Sequence, residues 1–349
     1  MSTFAPAITT ISPSLMNPEF IMQYSMASGA FEILADGAPK VRLGTMDLVV
    51  YQKMLRMTSQ AMAGQSLAAQ LPSSSVVPFY DQMMTYRIQS RSQYSYLDTD
   101  AASQWGYSLV DALRLANRQA HAQYLRNMLL YGVNAANNEG IVNSPNAITI
   151  NLGKDSKNNE TYPSWDSGEM AIFLLNQIAS QKTKALVLGQ ATKTVILAPQ
   201  RFLQTLEYTG VVQLTTYQRA GAGTATVGTM VKTIANEAHG DEILFAADDT
   251  LIGKGAGGSD LIVITIPELV IPKARQDINT NIFATLTPNQ QAVNVMFMDV
   301  AAPTEVPSPI PDGGLTTLFT CRSTPGWSLR SEVVTLLSAK YTNSTKVAA

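Results

Sequence analysis

Charge is scarce in this sequence. Only 14% of its 349 residues are Asp, Glu, Lys or Arg, and the formal net charge is −2, where an ordinary soluble domain carries roughly 25% charged residues. Gripping phosphate backbones as a main task needs a clustered basic footprint, so this balance excludes sequence-specific DNA binding. A wall beside packed nucleic acid is still allowed, because containment requires no strong attraction. The single cysteine, Cys321, excludes an intrachain disulfide and a cysteine-rich zinc site. No apolar run reaches the ~18 residues of a membrane span. Met1 to Ile21 lacks the basic start and apolar stretch of a secretory signal, so the chain reads as made in the cytoplasm, with no membrane partner.

Groups for acid, base or nucleophilic chemistry are equally thin. The two histidines are His121 and His239. The first lies in a long helical stretch with no acidic partner three or four residues away, which reads as a packed or interface histidine. The second precedes Gly240 and reads as a helix end followed by a turn. Gly253-Lys254-Gly255-Ala256-Gly257-Gly258 formally matches a phosphate-cradling pattern. It leads into a strand, however, whereas cradling needs glycines that open a helix. The pairs Asp241-Glu242 and Asp248-Asp249 would point to opposite faces of a strand. No catalytic, cofactor-binding or metal-binding residue is expected.

What is present is a 46% hydrophobic composition with abundant Ser, Thr, Asn, Gln, Ala and Gly, which suits extensive subunit contact because desolvating charges at an interface is costly. The first ~45 residues, with Pro6, Pro13, Pro18 and Pro39, show no sustained period and read as an extended arm. From Met84 to Tyr96 residues alternate, with Met84, Tyr86, Ile88, Tyr94 and Tyr96 sharing one parity. That is a strand of about 43 Å at ~3.3 Å per residue, long enough to suggest a projecting hairpin with its tip between Gly64 and Ser75. Its upstream partner, Val49 to Met62, fits a strand or a helix.

Ser108 to Tyr131 is the clearest helix. Leu109, Leu113, Ala116, Ala120, Tyr124, Met128 and Tyr131 recur at steps of three and four, and Gly132 stands as a stop. Asp166, three before Glu169, predicts a capping box and a helix through Ser180. Then come a strand at Thr194–Leu197, a helix entered at Pro199 with Phe202, Leu203 and Leu206, and a strand near Val211–Thr216. A loop at Gly221–Gly228 precedes a helix over Met230–His239 and strands at Glu242–Ala246 and Leu261–Ile266. Further strands are predicted at Val293–Phe297, Leu315–Cys321 and Val333–Leu337, with Pro303–Pro311 as a rigid linker. The order is α+β.

Three stretches carry a family resemblance: Trp105 through Gly132, the turn Glu139-Gly140-Ile141-Val142-Asn143-Ser144-Pro145, and Val195-Ile196-Leu197-Ala198-Pro199-Gln200-Arg201-Phe202. In this order, behind an arm and a hairpin, they resemble the Hong Kong 97-type major capsid proteins of tailed phages. The resemblance implies an N-terminal arm over 1–48, an extended hairpin loop over 49–100 and a peripheral domain over 101–183 with its spine helix at 108–131. An axial domain over 184–292 and return strands of the peripheral domain over 293–349 complete the division.

It also implies an icosahedral shell of hexamers and pentamers in the virion, made in the bacterial host, with a portal protein, a separate scaffolding or decoration protein and packaged DNA as partners. Some relatives weld subunits through a Lys–Asn bond. Lys40 and Lys53 are the lysines nearest the hairpin, and no matching Asn or Glu is identified. Encapsulin-type shells share the fold and enclose an enzyme instead, while a hydrolase or binding module would need a pocket of converging titratable groups. Candidate interface residues are the aromatics Tyr94, Tyr96, Trp105 and Trp327, together with Arg114 and Arg118 on the spine helix.

Overall fold

The computed structural model describes residues 34, 43–58, 74–145, 147–184, 191–208, 226–270, 292–294, 296–297, 300–311, 313–328 and 331–341. Most of the predicted arm, including Lys40, lies outside them. So do nearly all of the hairpin tip and the strand near Val211–Thr216.

The stretch that fitted either strand or helix is a strand, β1 (Val49–Thr58). It runs antiparallel to β2 (Ser75–Met84), from Val49 opposite Met84 to Thr58 opposite Ser75. The single strand predicted over Met84–Tyr96 is divided at Thr85. There the backbone N–H donates to Leu48 O at 3.0 Å and the hydroxyl to Asp47 O at 2.5 Å, which ties the break to the base of the hairpin. Beyond it β3 (Tyr86–Ser95) joins a different sheet. Tyr96 starts helix α1 (Tyr96–Gln104), held by a reciprocal capping box between Ser95 and Asp98.

The spine helix α2 (Leu109–Tyr131) begins where Ser108 accepts from Asp111 N and ends at Gly132, whose φ of 66° reverses the chain. At 1.5 Å per residue it is about 35 Å long. After β4 (Ile148–Asn151) comes α3 (Ser167–Lys184), one turn longer than expected. Asp166 caps it by accepting from Gly168 N at 3.0 Å, but the predicted box does not close. Glu169 instead accepts from Ser156 N at 2.9 Å, and Asp166 N donates to Asp155.

The chain continues through β5 (Lys193–Ala198), α4 (Gln200–Tyr208) and α5 (Val227–His239). Helix α5 starts inside the predicted loop, because Thr226 accepts from Thr229 N and supplies a cap. Then follow β6 (Glu242–Ala247), β7 (Asp260–Thr265), β8 (Glu268–Val270), β9 (Ala292–Asn294) and β10 (Met296–Phe297). The last strands are β11 (Thr304–Ile310), β12 (Gly314–Ser323), β13 (Trp327–Ser328) and β14 (Val334–Ala339).

The predicted linker Pro303–Pro311 is therefore wrong: most of it is β11, paired antiparallel with β12. Strand β11 is the outer strand of the sheet β11-β12-β3. Pro307 and Pro309 share one parity, so their missing N–H groups fall on the free side, where an edge strand tolerates proline.

The centre is a mixed five-stranded sheet in the order β4-β14-β7-β5-β6. Its middle strands are buried on both sides, which explains their near-continuous apolar runs. On one face Ile196, Ala198, Ile262, Ile264 and Leu337 meet Met170, Leu174 and Ile178 of α3, Phe202 and Leu206 of α4, and Val231 of α5. On the other, Val195, Leu197, Val263 and Val334 meet Met128, Leu129 and Leu130 at the end of α2 and reach Ile88 and Cys321 of the three-stranded sheet. Gln181, wholly buried on α3, donates to Ile264 O at 2.6 Å and Val333 O at 2.8 Å, stitching helix to sheet.

Candidate self-assembly surfaces

Rigid presentation of a surface requires a fixed frame, and here the frame is set at the end of α2. The carboxylate of buried Glu139 accepts from Asn134 N at 2.8 Å, Val133 N at 3.1 Å, Asn137 Nδ2 at 3.2 Å and Tyr86 OH at 2.6 Å. Burial opposes its charge, yet these four donors outweigh it and hold the carboxyl below the usual glutamate range. Burial, together with the same contact, pushes the Tyr86 hydroxyl up to about 12.

Asn143, from the turn singled out in the sequence, donates to Tyr131 O and to Glu139 O, both at 2.9 Å. It thereby satisfies a carbonyl left open by the end of the helix. Gly140 at φ 86° and Gly132 lie against each other, with no room for a Cβ at either. Gly326 N donates to Met128 O at 3.1 Å, and Gly326 O accepts from Gly140 N at 2.8 Å.

Further towards its start, α2 rests on β3 and β12 through polar contacts. Asn117 Nδ2 donates to Ser92 Oγ at 3.2 Å, and His121 bonds Ser90 Oγ at 3.0 Å and Cys321 Sγ at 3.3 Å. The predicted apolar stripe is correspondingly rotated: Met128 is buried, but Ala116, Ala120 and Tyr124 are exposed. His121 is the packed histidine that the sequence led us to expect.

Two apolar surfaces stand uncovered on this frame. The hairpin exposes Tyr51, Val76, Val77, Phe79, Tyr80 and Met84. The second lies along and just after α1, where Tyr96 is 59%, Leu97 62% and Trp105 48% exposed, with Tyr107 close behind. The turn joining β11 to β12 belongs to it, because Gly313 sits against the Tyr96 ring, within 3.4 Å of where a Cβ would stand. Exposed apolar area of this extent marks contact surfaces.

The interface candidates divide accordingly. Tyr96 and Trp105 fall together on the second surface, and Tyr94 is half-buried on β3. Arg114 is exposed and pairs with Glu305 at 3.2 Å and, more loosely, with Asp111 at 3.8 Å; Arg118 is exposed. Trp327 is a correction: at 2% exposure it packs with Val50 and Met83 at the root of the hairpin. Sequence reasoning missed Leu97 and Tyr107, whose proximity to Tyr96 and Trp105 was the available signal.

The described residues contain no group of three or more His, Cys, Asp or Glu placed to hold a metal. Asp248 accepts from Thr250, and Asp241 pairs with Lys182. Arg201 donates to Asp260, which also accepts from Tyr162 OH at 3.0 Å and Gly253 N at 3.2 Å. The glycine-rich loop at 253–258 thus folds onto a buried carboxylate. A polar depression of about 390 Å³ is lined by Lys154, Asn159, Glu160 and Lys340. No helix among the described residues is long and apolar enough to cross a membrane.

Comparison of the sequence with protein-family profiles and with curated proteins gives no match. Comparison of the fold does. The chain is similar to the capsid of Myoviridae phage XM1 at a TM-score of 0.60 and 8% identity, over 93% of this chain and 96% of that one. The fold is that of the Hong Kong 97-type capsid proteins. The capsid of cyanophage P-SCSP1u superposes at a TM-score of 0.53 and 11% identity, covering 94% of this chain and 93% of that one. The capsid of an empty GTA particle gives 0.51 at 10% identity, covering 95% of each chain. So little identity over nearly whole chains means that the capsid fold is kept here by pattern and packing, with few shared residues.

Proposed function

We propose that this chain is a major capsid protein, self-assembling through hexamers and pentamers into the icosahedral shell that encloses a tailed phage's double-stranded DNA. The observation that carries this reading is the correspondence of the fold over 93–94% of this chain with capsid chains that are themselves covered over 93–96% of their length. The function is geometric: many weak contacts repeated by symmetry, with no catalytic residue.

In this reading the peripheral domain over 101–183 carries the spine helix α2, the axial domain spans 184–292 with β5, α4, α5, β6 and β7, and the strands over 293–349 return to the peripheral domain. Tyr96 and Trp105 meet a neighbouring subunit, while Arg114 and Arg118 lie on the exposed side of the spine helix. A portal protein, a separate scaffolding or decoration protein and DNA held by proximity are the partners, and the virion capsid is the location.

Negative-stain electron microscopy of the chain expressed alone, with light scattering on the same sample, tests this. Closed shells or rings of five- and six-fold symmetry support it, and nucleic acid as cargo supports phage over an encapsulin-type compartment. A uniform monomer that persists beside co-expressed scaffolding candidates overturns it.

A further inference from the structure

His121 occupies an unusual place for a titratable group. It is only 5% exposed, in the middle of α2, and wedged onto the three-stranded sheet. One ring nitrogen bonds Ser90 Oγ at 3.0 Å, the other bonds Cys321 Sγ at 3.3 Å, and the ring stands edge-on to Phe319 with centroids 4.5 Å apart. Each partner is neutral. Among the groups sharing that face, Tyr86 of β3 is bound to Glu139, Tyr94 is half-buried, and the Cys321 thiol is pushed up by its own burial. Glu305 of β11, opposite Phe319 in the register, is engaged by Arg114. On the helix itself Arg114 and Arg118 add positive charge. Among the described residues no carboxylate is in contact with the ring, so an imidazolium here is a buried cation with none of them to offset its desolvation.

We propose that His121 is an acid-sensitive latch: neutral, it closes the seam between the spine helix and the sheet β11-β12-β3; protonated, it opens that seam. The rest of the contact is suited to opening. Asn117, Ser92 and Ser90 contribute polar bonds rather than apolar burial, whereas the last turn of α2 is fixed by Met128, Leu129, Leu130 and the Glu139 cluster. Opening therefore frees the first part of the helix and leaves its end anchored. The sign follows from burial, which depresses the His121 pKa. The open state binds more protons, so the closed seam is favoured above the ordinary histidine range and loses stability as pH falls through it. From an ordinary pKa of about 6.5, the opening equilibrium rises by up to about thirtyfold between about pH 7.5 and about pH 5.

Cys321, the sole cysteine and part of the seam, reports opening directly. The unassembled subunit is labelled with 4,4′-dithiodipyridine across that pH range, each rate normalised to the urea-unfolded chain at the same pH. The normalised rate is expected to climb several-fold on acidification, to stay flat in His121→Gln and to climb as before in His239→Gln. An equal climb in His121→Gln overturns the proposal. If His121→Gln does not fold, the imidazole resonances of the wild-type chain decide. A His121 midpoint below the ordinary range, with the rise in labelling setting in above that midpoint, supports the latch, and a midpoint at or above that range overturns it. Neither readout depends on assembly.

Discussion

Lys182 Nζ stands 2.8 and 2.7 Å from the two carboxylate oxygens of Asp241, with both side chains almost entirely buried. Asp241 also accepts from Thr192 N at 2.8 Å and Thr192 Oγ1 at 3.1 Å, so one carboxylate joins the last turn of α3 to the entry of β5 and of β6. Removing one member of such a pair strands a buried charge and costs about 3–5 kcal/mol. Urea unfolding of the subunit should therefore show Lys182→Met as strongly destabilised. The double variant Lys182→Met, Asp241→Asn should recover part of the loss, since the amide oxygen it introduces would still accept from Thr192 without a charge.

Glu139 contributes to acid sensitivity through a single side chain. Its carboxyl is held below the ordinary glutamate range, so the stability it contributes is present above that range and is lost as pH falls through the folded value. Unfolding free energies measured from about pH 7 down to about pH 3 should fall steeply on the acid side. Glu139→Gln should be less stable at neutral pH and show a shallower acid limb. An unchanged limb would assign the acid sensitivity elsewhere.

Legibility in the sequence followed how locally each feature is determined. Strand β5 and helix α4 were readable because Val195 to Ala198 is buried on both faces and Phe202, Leu203 and Leu206 recur at helical spacing. The ends of α2 were readable because Ser108 and Gly132 act through their own backbone neighbourhood. Its buried face was not: Asn117 and His121 point inward only because Ser92, Ser90 and Cys321 wait there, the last of them 200 residues away. Strand β11 was hidden for a related reason, since proline forbids a central strand and only the sheet order reveals an edge. Trp327 looked like an anchor for lack of any sign that Val50 and Met83 would cover it.

Gly326 leaves no room for a side chain. A Cβ there would lie 2.2 Å from Leu129 O and 2.8 Å from its carbonyl carbon, both backbone atoms of a fixed helix turn. Gly326→Ala should cost at least about 2 kcal/mol through the displacement it forces, and hydrogen exchange should quicken at the last turn of α2 before it does elsewhere. Protection equal to wild type at that turn would mean that the loop moves instead of the helix.

Surface and stability should separate at α1. Tyr96 and Trp105 are half-exposed or more, so replacing both by Ser should change unfolding free energy by no more than about 1 kcal/mol. Aromatic anchors at interfaces each contribute about 2 kcal/mol or more, so the same variant should raise the protein concentration needed for rings or shells by an order of magnitude or more. Light scattering against concentration measures this, and assembly at the wild-type threshold would remove the two residues from the contact.

Strand β14, near the end of the chain, lies inside the central sheet between β4 and β7. Among the described residues β4 pairs with no strand but β14, and the glycine that seats the spine helix comes only at position 326. A chain still emerging from the ribosome therefore holds two unfinished edges and a loose strut until Gly326 and β14 have been made. Translation itself becomes the timer: a chain that stops short of β14 lacks the folded shape, and presents it only once that strand is in place.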